Sequence, residues 1–444
     1  MSYLDNVLFA ILLIIGFGYF YINIKKIARN INLGIDVGRK DNPAARWKNM
    51  AMIALGQSKM VKRPIAGALH IVVYLGFIII NIELLEIIID GLFGTHRVFA
   101  VLGSLYDVLI GSFEILALLV LVAVSVFWIR RNILKLKRFM NPEMKGYPKN
   151  DANYILYFEV VLMTLFLLMN ATDLHLQNVP GGFSHFIKAG SFPVSQFIEP
   201  LFNGMSNELV MLLTEMFWWI HIVGILIFMN YLYFSKHLHI LLAFPNTYFA
   251  DLNPQGQFDN LEAVTKEVKM MMDPNADPFA AAPVVEGEAP AKFGASDVQD
   301  LNWVQLLNAY TCTECGRCTS SCPANQTGKK LSPRKIMMDT RDRLEEVGKN
   351  IDANKGIFIP DNKTLLNDYI TPEELWACTS CNACVEECPV NISPLSIIMD
   401  MRRYLVMEQS AAPMPLNAMM TNIENNGAPW QYSQQDRLNW KDEN

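Results

Sequence analysis

Apolar residues fall into five long runs in the first half of the chain: Val7–Ile24, Ile65–Ile89, Tyr106–Ile129, Tyr154–Thr172 and Leu209–Phe234. A helix crossing the hydrocarbon core of a bilayer needs about 20 mostly apolar residues, and it satisfies every backbone N–H and C=O within the segment. Each run meets that length and is too apolar for an ordinary soluble helix, so five transmembrane helices are predicted. Beyond residue 245 the pattern turns polar. Residues 174–207 read as a long connection with a short interfacial helix at Val194–Phe202. Residues 273–296, rich in Ala, Pro and acids, read as a flexible or semi-extended linker. Pro333–Val347 and Pro372–Ala377 read as helices.

Charge orients the bundle. The connection after the first run carries Lys25, Lys26, Arg29, Arg39, Lys40, Arg46, Lys48, Lys59, Lys62 and Arg63. The one after the third carries Arg130, Arg131, Lys135, Lys137, Arg138, Lys145 and Lys149. The other two have Arg97 and Lys188 alone. The positive-inside rule then puts the N-terminus outside and the polar C-terminal half in the cytoplasm of a prokaryote, under its inner membrane. The start, MSYLDN, lacks a basic n-region, so the first run reads as a retained anchor. The net charge of −6 is segregated and says little. No basic, aromatic-interleaved stretch suggests nucleic acid. No glycine-rich phosphate loop or nucleophile elbow suggests nucleotide binding or hydrolysis.

All eight cysteines lie in one motif that occurs twice. Cys312, Cys315, Cys318 and Cys322 are spaced C-x2-C-x2-C-x3-C and followed by Pro323. Cys378, Cys381, Cys384 and Cys388 repeat the spacing before Pro389. Such a run holds a [4Fe–4S] cluster, and in two-cluster ferredoxins the fourth cysteine ligates the other cluster. Cys312, Cys315, Cys318 and Cys388 are therefore assigned to one cluster, and Cys378, Cys381, Cys384 and Cys322 to the second. Structural zinc favours separated pairs of ligands, and disulfides do not suit a reducing cytoplasm. The predicted fold is mainly α. A five-helix transmembrane bundle (1–245) is joined by a linker (246–296) to a helical ferredoxin-like domain (297–410), with a partner-docking tail (411–444).

Histidines and acids occur at membrane depth. His70 begins the second run, and His221 lies within the fifth. His239 follows eighteen residues later, five helical turns on, so the two share a face ~27 Å apart if the helix continues. Imidazole is a haem axial ligand, and polar residues within membranes are functional by default. His185 and His237 read as interfacial, as do Glu86 and Asp173. Glu83, Glu114 and Glu215 sit deeper and are candidates for a proton route to a quinone.

These residues together resemble known proteins. Five spans, a histidine early in the second and two eighteen apart in the fifth look like the cytochrome b subunit of respiratory nitrate reductase and the membrane subunit of heterodisulfide reductase. Phe293–Ile336 and Asn425–Trp440 resemble the heterodisulfide reductase iron–sulfur subunit family. The resemblance implies one or two haems b. His70 pairs with His239 on a haem near the cytoplasmic side, and His221 pairs with His175 on a distal one. The nitrate reductase protein has a second histidine where this chain has Ile80, so a single haem held by His70 and His221 is the competing arrangement. In the heterodisulfide reductase family the iron–sulfur protein extends into a second cysteine-rich half, expected here on a separate cytoplasmic partner. The implied function is electron transfer between membrane quinone, haem b, two [4Fe–4S] clusters and that partner. A membrane-anchored iron–sulfur scaffold or redox sensor without quinone turnover is the alternative.

Overall fold

The computed structural model describes residues 3–179, 186–274 and 292–442. His185 and residues 275–291 of the expected linker lie outside them. Five helices are long and apolar enough to cross a membrane: α1 (Tyr3–Ile31), α2 (Pro64–Phe93), α3 (Ser104–Asn132), α4 (Tyr147–Gln177) and α5 (Asn207–Tyr231). The first four outrun their apolar stretches because polar first and last turns add length beyond the hydrocarbon core, whereas α5 stops at Tyr231, short of the end of its run. Proline opens α2, where its missing N–H costs nothing. Ser206 Oγ caps α5 by accepting from Leu209 N. The bundle closes on Phe9, Ile110, Phe113, Phe166 and Ile222. The ring of Phe9 on α1 seats on α2 at Gly91, where an added Cβ would stand 2.4 Å from it.

The end of α5 departs from expectation. A 3-10 turn (Leu232–Phe234) leads into extended backbone at Ser235, then a second turn (Lys236–Leu238) and a new helix, His239–Tyr248. The break is held by side chains. Asp151 on α4 accepts from Tyr231 Oη at 2.7 Å and from Lys236 N at 3.2 Å, and Ser235 Oγ accepts from His237 N. His221 and His239 therefore do not lie on one continuous helix. The expected helix at Val194–Phe202 is likewise two short 3-10 turns, Ser195–Phe197 and Glu199–Phe202.

The cysteine-rich half is built from helices Trp303–Thr311, Pro333–Ala353 and Pro394–Met407 around the two motifs. It packs directly on the bundle. Ile27 and Ile31 of α1, with Leu238 and Ala243, share one core with Leu306, Tyr310 and Val347. Asn30 Nδ2 donates to Tyr310 Oη at 2.9 Å, and Asn246 Nδ2 donates to Val390 O at 2.7 Å. Lys236 and Arg341 both pair with buried Glu314. Burial opposes the Glu314 charge, but these cations outweigh it and hold its carboxyl below the usual range. Arg63 pairs with Glu387, and Arg334 with Glu143, so both basic connections and the cysteine-rich half meet at one end of the bundle.

Candidate functional site: two thiol loops against a histidine-lined cavity

The two cysteine loops share one backbone design. Glu314 and Gly316 in the first, and Ser380 and Asn382 in the second, occupy equivalent positions with φ of 54°, 71°, 56° and 59°. Left-handed residues in such a loop turn successive N–H groups inward toward an anionic centre. Ser380 N donates to Cys378 Sγ, and Ile392 N to Cys388 Sγ at 3.3 Å. Gly316 suits this left-handed position, where a Cβ would stand 2.5 Å from Arg334 Nη1.

Cys312, Cys315, Cys318 and Cys388 line one pocket together with Cys384. Cys322, in turn, is an electrostatic neighbour of Cys378 and Cys384. Burial pushes the Cys312 and Cys384 thiols up to about 12 and Cys388 up to about 11, so they take charge only when cations join them. Thiolate donors in this number and spacing fit two iron–sulfur clusters. Among the described residues no three His, Cys, Asp or Glu groups converge on a single-ion site.

Beside this pocket a cavity of about 460 Å³ runs into the bundle. That is within the size range of cofactor sites. His70, His221, His237 and His239 line it, as do Glu83, Glu159, Cys315, Arg317 and Val390. The His70 and His239 rings stand 6.5 Å apart, centroid to centroid. Two imidazoles sharing one metal at ~2 Å would put their centroids roughly 6 Å apart. His239 Nδ1 lies 3.0 Å from Lys236 O; a carbonyl only accepts, so Nδ1 carries the hydrogen and Nε2 is left to ligate. Nδ1 of His70 and of His221 is buried without a hydrogen-bond partner. Burial pushes His237 and His239 toward the neutral, ligating form. These features fit a haem.

His237, expected at the interface, lines the cavity with its ring 5.5 Å from that of His239, because the turn at Ser235 swings it inward. Glu159 was missed in the sequence, although a carboxylate inside the fourth apolar run was signal enough.

The remaining expected residues lie elsewhere. His175 Nδ1 is 2.6 Å from Glu199 Oε1, and His175 does not line the cavity. Glu114 is fully buried and accepts from Val194 N, Ser195 N and Asn170 Nδ2. Glu215 is exposed on the outside of the bundle. Glu83 is buried, faces the cavity and has Oε2 unpartnered. Glu86 and Asp173 are not interfacial but buried in a network. Arg97 Nε donates to Asp173 at 2.5 Å, Arg97 Nη1 to Tyr106 Oη, and Tyr106 Oη to Glu86. A buried guanidinium demands such partners, which draws both acids inward.

Residues 307–392 match the 4Fe–4S dicluster domain family. The chain is 30% identical over 433 residues to a probable iron–sulfur-binding oxidoreductase, FadF, of Bacillus subtilis, covering 91% of this chain and 55% of that protein. It is 26% identical over 433 residues to the EtfAB:quinone oxidoreductase of Syntrophomonas wolfei, covering 92% of this chain and 55% of that protein. One component of the ferredoxin/F(420)H(2)-dependent CoB–CoM heterodisulfide reductase of Methanosarcina acetivorans is 35% identical over 108 residues, covering 24% of this chain and 52% of that protein. The chain thus spans about half the length of these relatives. No solved structure matches. The chain joins five membrane-type helices to a 4Fe–4S dicluster domain, and its relatives are iron–sulfur oxidoreductases and heterodisulfide reductase subunits.

Proposed function

We propose that this protein is the electron-transfer part of a membrane quinone-linked oxidoreductase, carrying electrons between membrane quinone, a haem b, two [4Fe–4S] clusters and a cytoplasmic partner. One observation carries the reading: a single cavity is lined both by the neighbouring rings of His70 and His239 and by Cys315. A haem bound there supplies one-electron chemistry next to the first cluster. His70 and His239 are the residues that would hold it. His239 is oriented by the Lys236 carbonyl.

The clusters are held by Cys312, Cys315, Cys318 and Cys388, and by Cys378, Cys381, Cys384 and Cys322. Cys381 is exposed, which suits the second cluster as the point of exchange with a soluble partner. The name of the S. wolfei relative, EtfAB:quinone oxidoreductase, supports EtfAB as that partner. Oxidation of a quinol also releases protons. Glu83, at membrane depth with a free oxygen in the cavity, is the acceptor we assign, with Glu159 as a second candidate. The basic connections favour the cytoplasmic side of the inner membrane for the cluster domain.

The test is an optical spectrum of the purified protein before and after addition of a short-chain quinol. A reduced low-spin b-type band supports the reading. A protein with clusters but no haem band would instead favour a membrane-anchored scaffold or sensor.

A further inference from the structure

The cavity has a second, cationic wall. Arg131, at the end of α3, and Arg138, just beyond it, both line the cavity. Their guanidinium carbons stand 4.4 and 4.8 Å from the centre of the Phe139 ring. Arg131 Nη1 and Arg138 Nε are buried and have no hydrogen-bond partner. The carboxylates near them are already engaged. Glu314 is held by Lys236 and Arg341, Asp151 by Tyr231 and Lys236, and Glu143 by Arg334 and Ser332. Arg130 and Arg317 add further positive charge to the same wall. The acids that line the cavity are distant. Glu83 is thirteen residues along α2 from His70, about 20 Å of helix, and Glu159 is twelve residues into α4. Arg131 has only the shared Glu314 and Asp151 as anionic neighbours, and Arg138 the thiol of Cys315; partly buried cations so placed are costly, and a pair of anionic oxygens would reduce that cost. Guanidinium matches carboxylate in planar, bidentate fashion.

We infer that Arg131 and Arg138 form a carboxylate cradle that binds the acidic edge of the haem and turns it toward the first cluster loop. The direction follows from the main chain. Arg138 O accepts from Arg334 Nη1 at 2.6 Å, and Gly316 lies so close that a Cβ there would be 3.2 Å from that same oxygen. The cradle is thus built against Cys315–Gly316–Arg317. The inference rests on the haem reading above.

The test is the midpoint potential of the haem, by optical titration, in wild type, Arg131→Gln, Arg138→Gln, the double variant and Arg138→Lys. A nearby cation favours the added electron. Each Gln variant should therefore keep the low-spin spectrum and lower the midpoint, the double variant most, while Arg138→Lys stays near wild type. Wild-type protein produced in haem-limited cells and loaded with haem dimethyl ester should retain it less well than haem itself, an arm that does not depend on variants folding. Unchanged midpoints together with equal retention of the ester would overturn the cradle. So would a shift confined to the cluster signals, which would make the arginines partners of the thiolates. So would an anionic lipid that co-purifies with wild type and is lost from the double variant while the haem midpoint stays put. A wild-type protein without haem would overturn the haem reading itself, and is recognised by the missing band before any variant is made.

Discussion

The two ends of the membrane bundle treat buried polar groups in opposite ways. At the end remote from the cysteines, Arg97, Asp173, Tyr106, Glu86 and Asn170 hydrogen-bond to one another, and Glu114 anchors the loop at Val194 and Ser195. Along the cavity next to the cysteine loops, His70, His221, Arg131 and Arg138 each leave a buried polar atom unpartnered, and Glu83 does so deeper in the bundle. A buried polar group without a partner costs about 1–3 kcal/mol or more, so five along one cavity point to a missing ligand rather than to loose packing. One end is a structural clamp, and the other is a site.

Variants can break that contrast. The largest effect is expected from His70→Ala and His239→Ala, each of which should abolish the low-spin haem band, while His175→Ala, whose ring pairs with Glu199 away from the cavity, should leave it. Loss of the band in His221→Ala but not His239→Ala would instead favour the His70–His221 pair. Arg97→Met should strand Asp173 in the clamp and cost about 3–5 kcal/mol. It should be read as a lower melting temperature in detergent with the haem band unchanged before melting. Glu83→Gln should slow quinol-driven haem reduction by about 10–100-fold if its proton is needed, whereas Glu215→Gln, on the outside of the bundle, should leave the rate unchanged. Cys322→Ser should damage the paramagnetic signal of the Cys378–Cys384 cluster before that of its neighbour in sequence. The smallest effect belongs to the exposed Lys330–Glu373 pair, where Lys330→Ala should change stability by less than about 1 kcal/mol.

The features legible in the sequence are those set by local spacing. Five apolar runs announce five helices, and two cysteine motifs announce two clusters, because span length and ligand reach are properties of short segments. The turn at Ser235 was hidden, since Leu238–Phe244 is apolar enough to prolong a helix and the group that breaks it, Asp151, is distant in sequence. That turn determines where His237 and His239 point. Arg131 and Arg138 read as topology signals, and only the fold reveals that they face a cavity. The docking of the cysteine-rich half on the bundle was equally invisible, because Asn30, Lys236 and Asn246 find their partners tens to hundreds of residues away.

The central claim is that the histidine cavity is the route between the membrane and the clusters. Rapid mixing of quinol with the purified protein, followed by haem absorbance and by freeze-quenched cluster paramagnetism, tests it directly. The account predicts haem reduction first, cluster reduction after it, and neither at a comparable rate in His239→Ala. Clusters reduced by quinol as fast in His239→Ala as in wild type would contradict it.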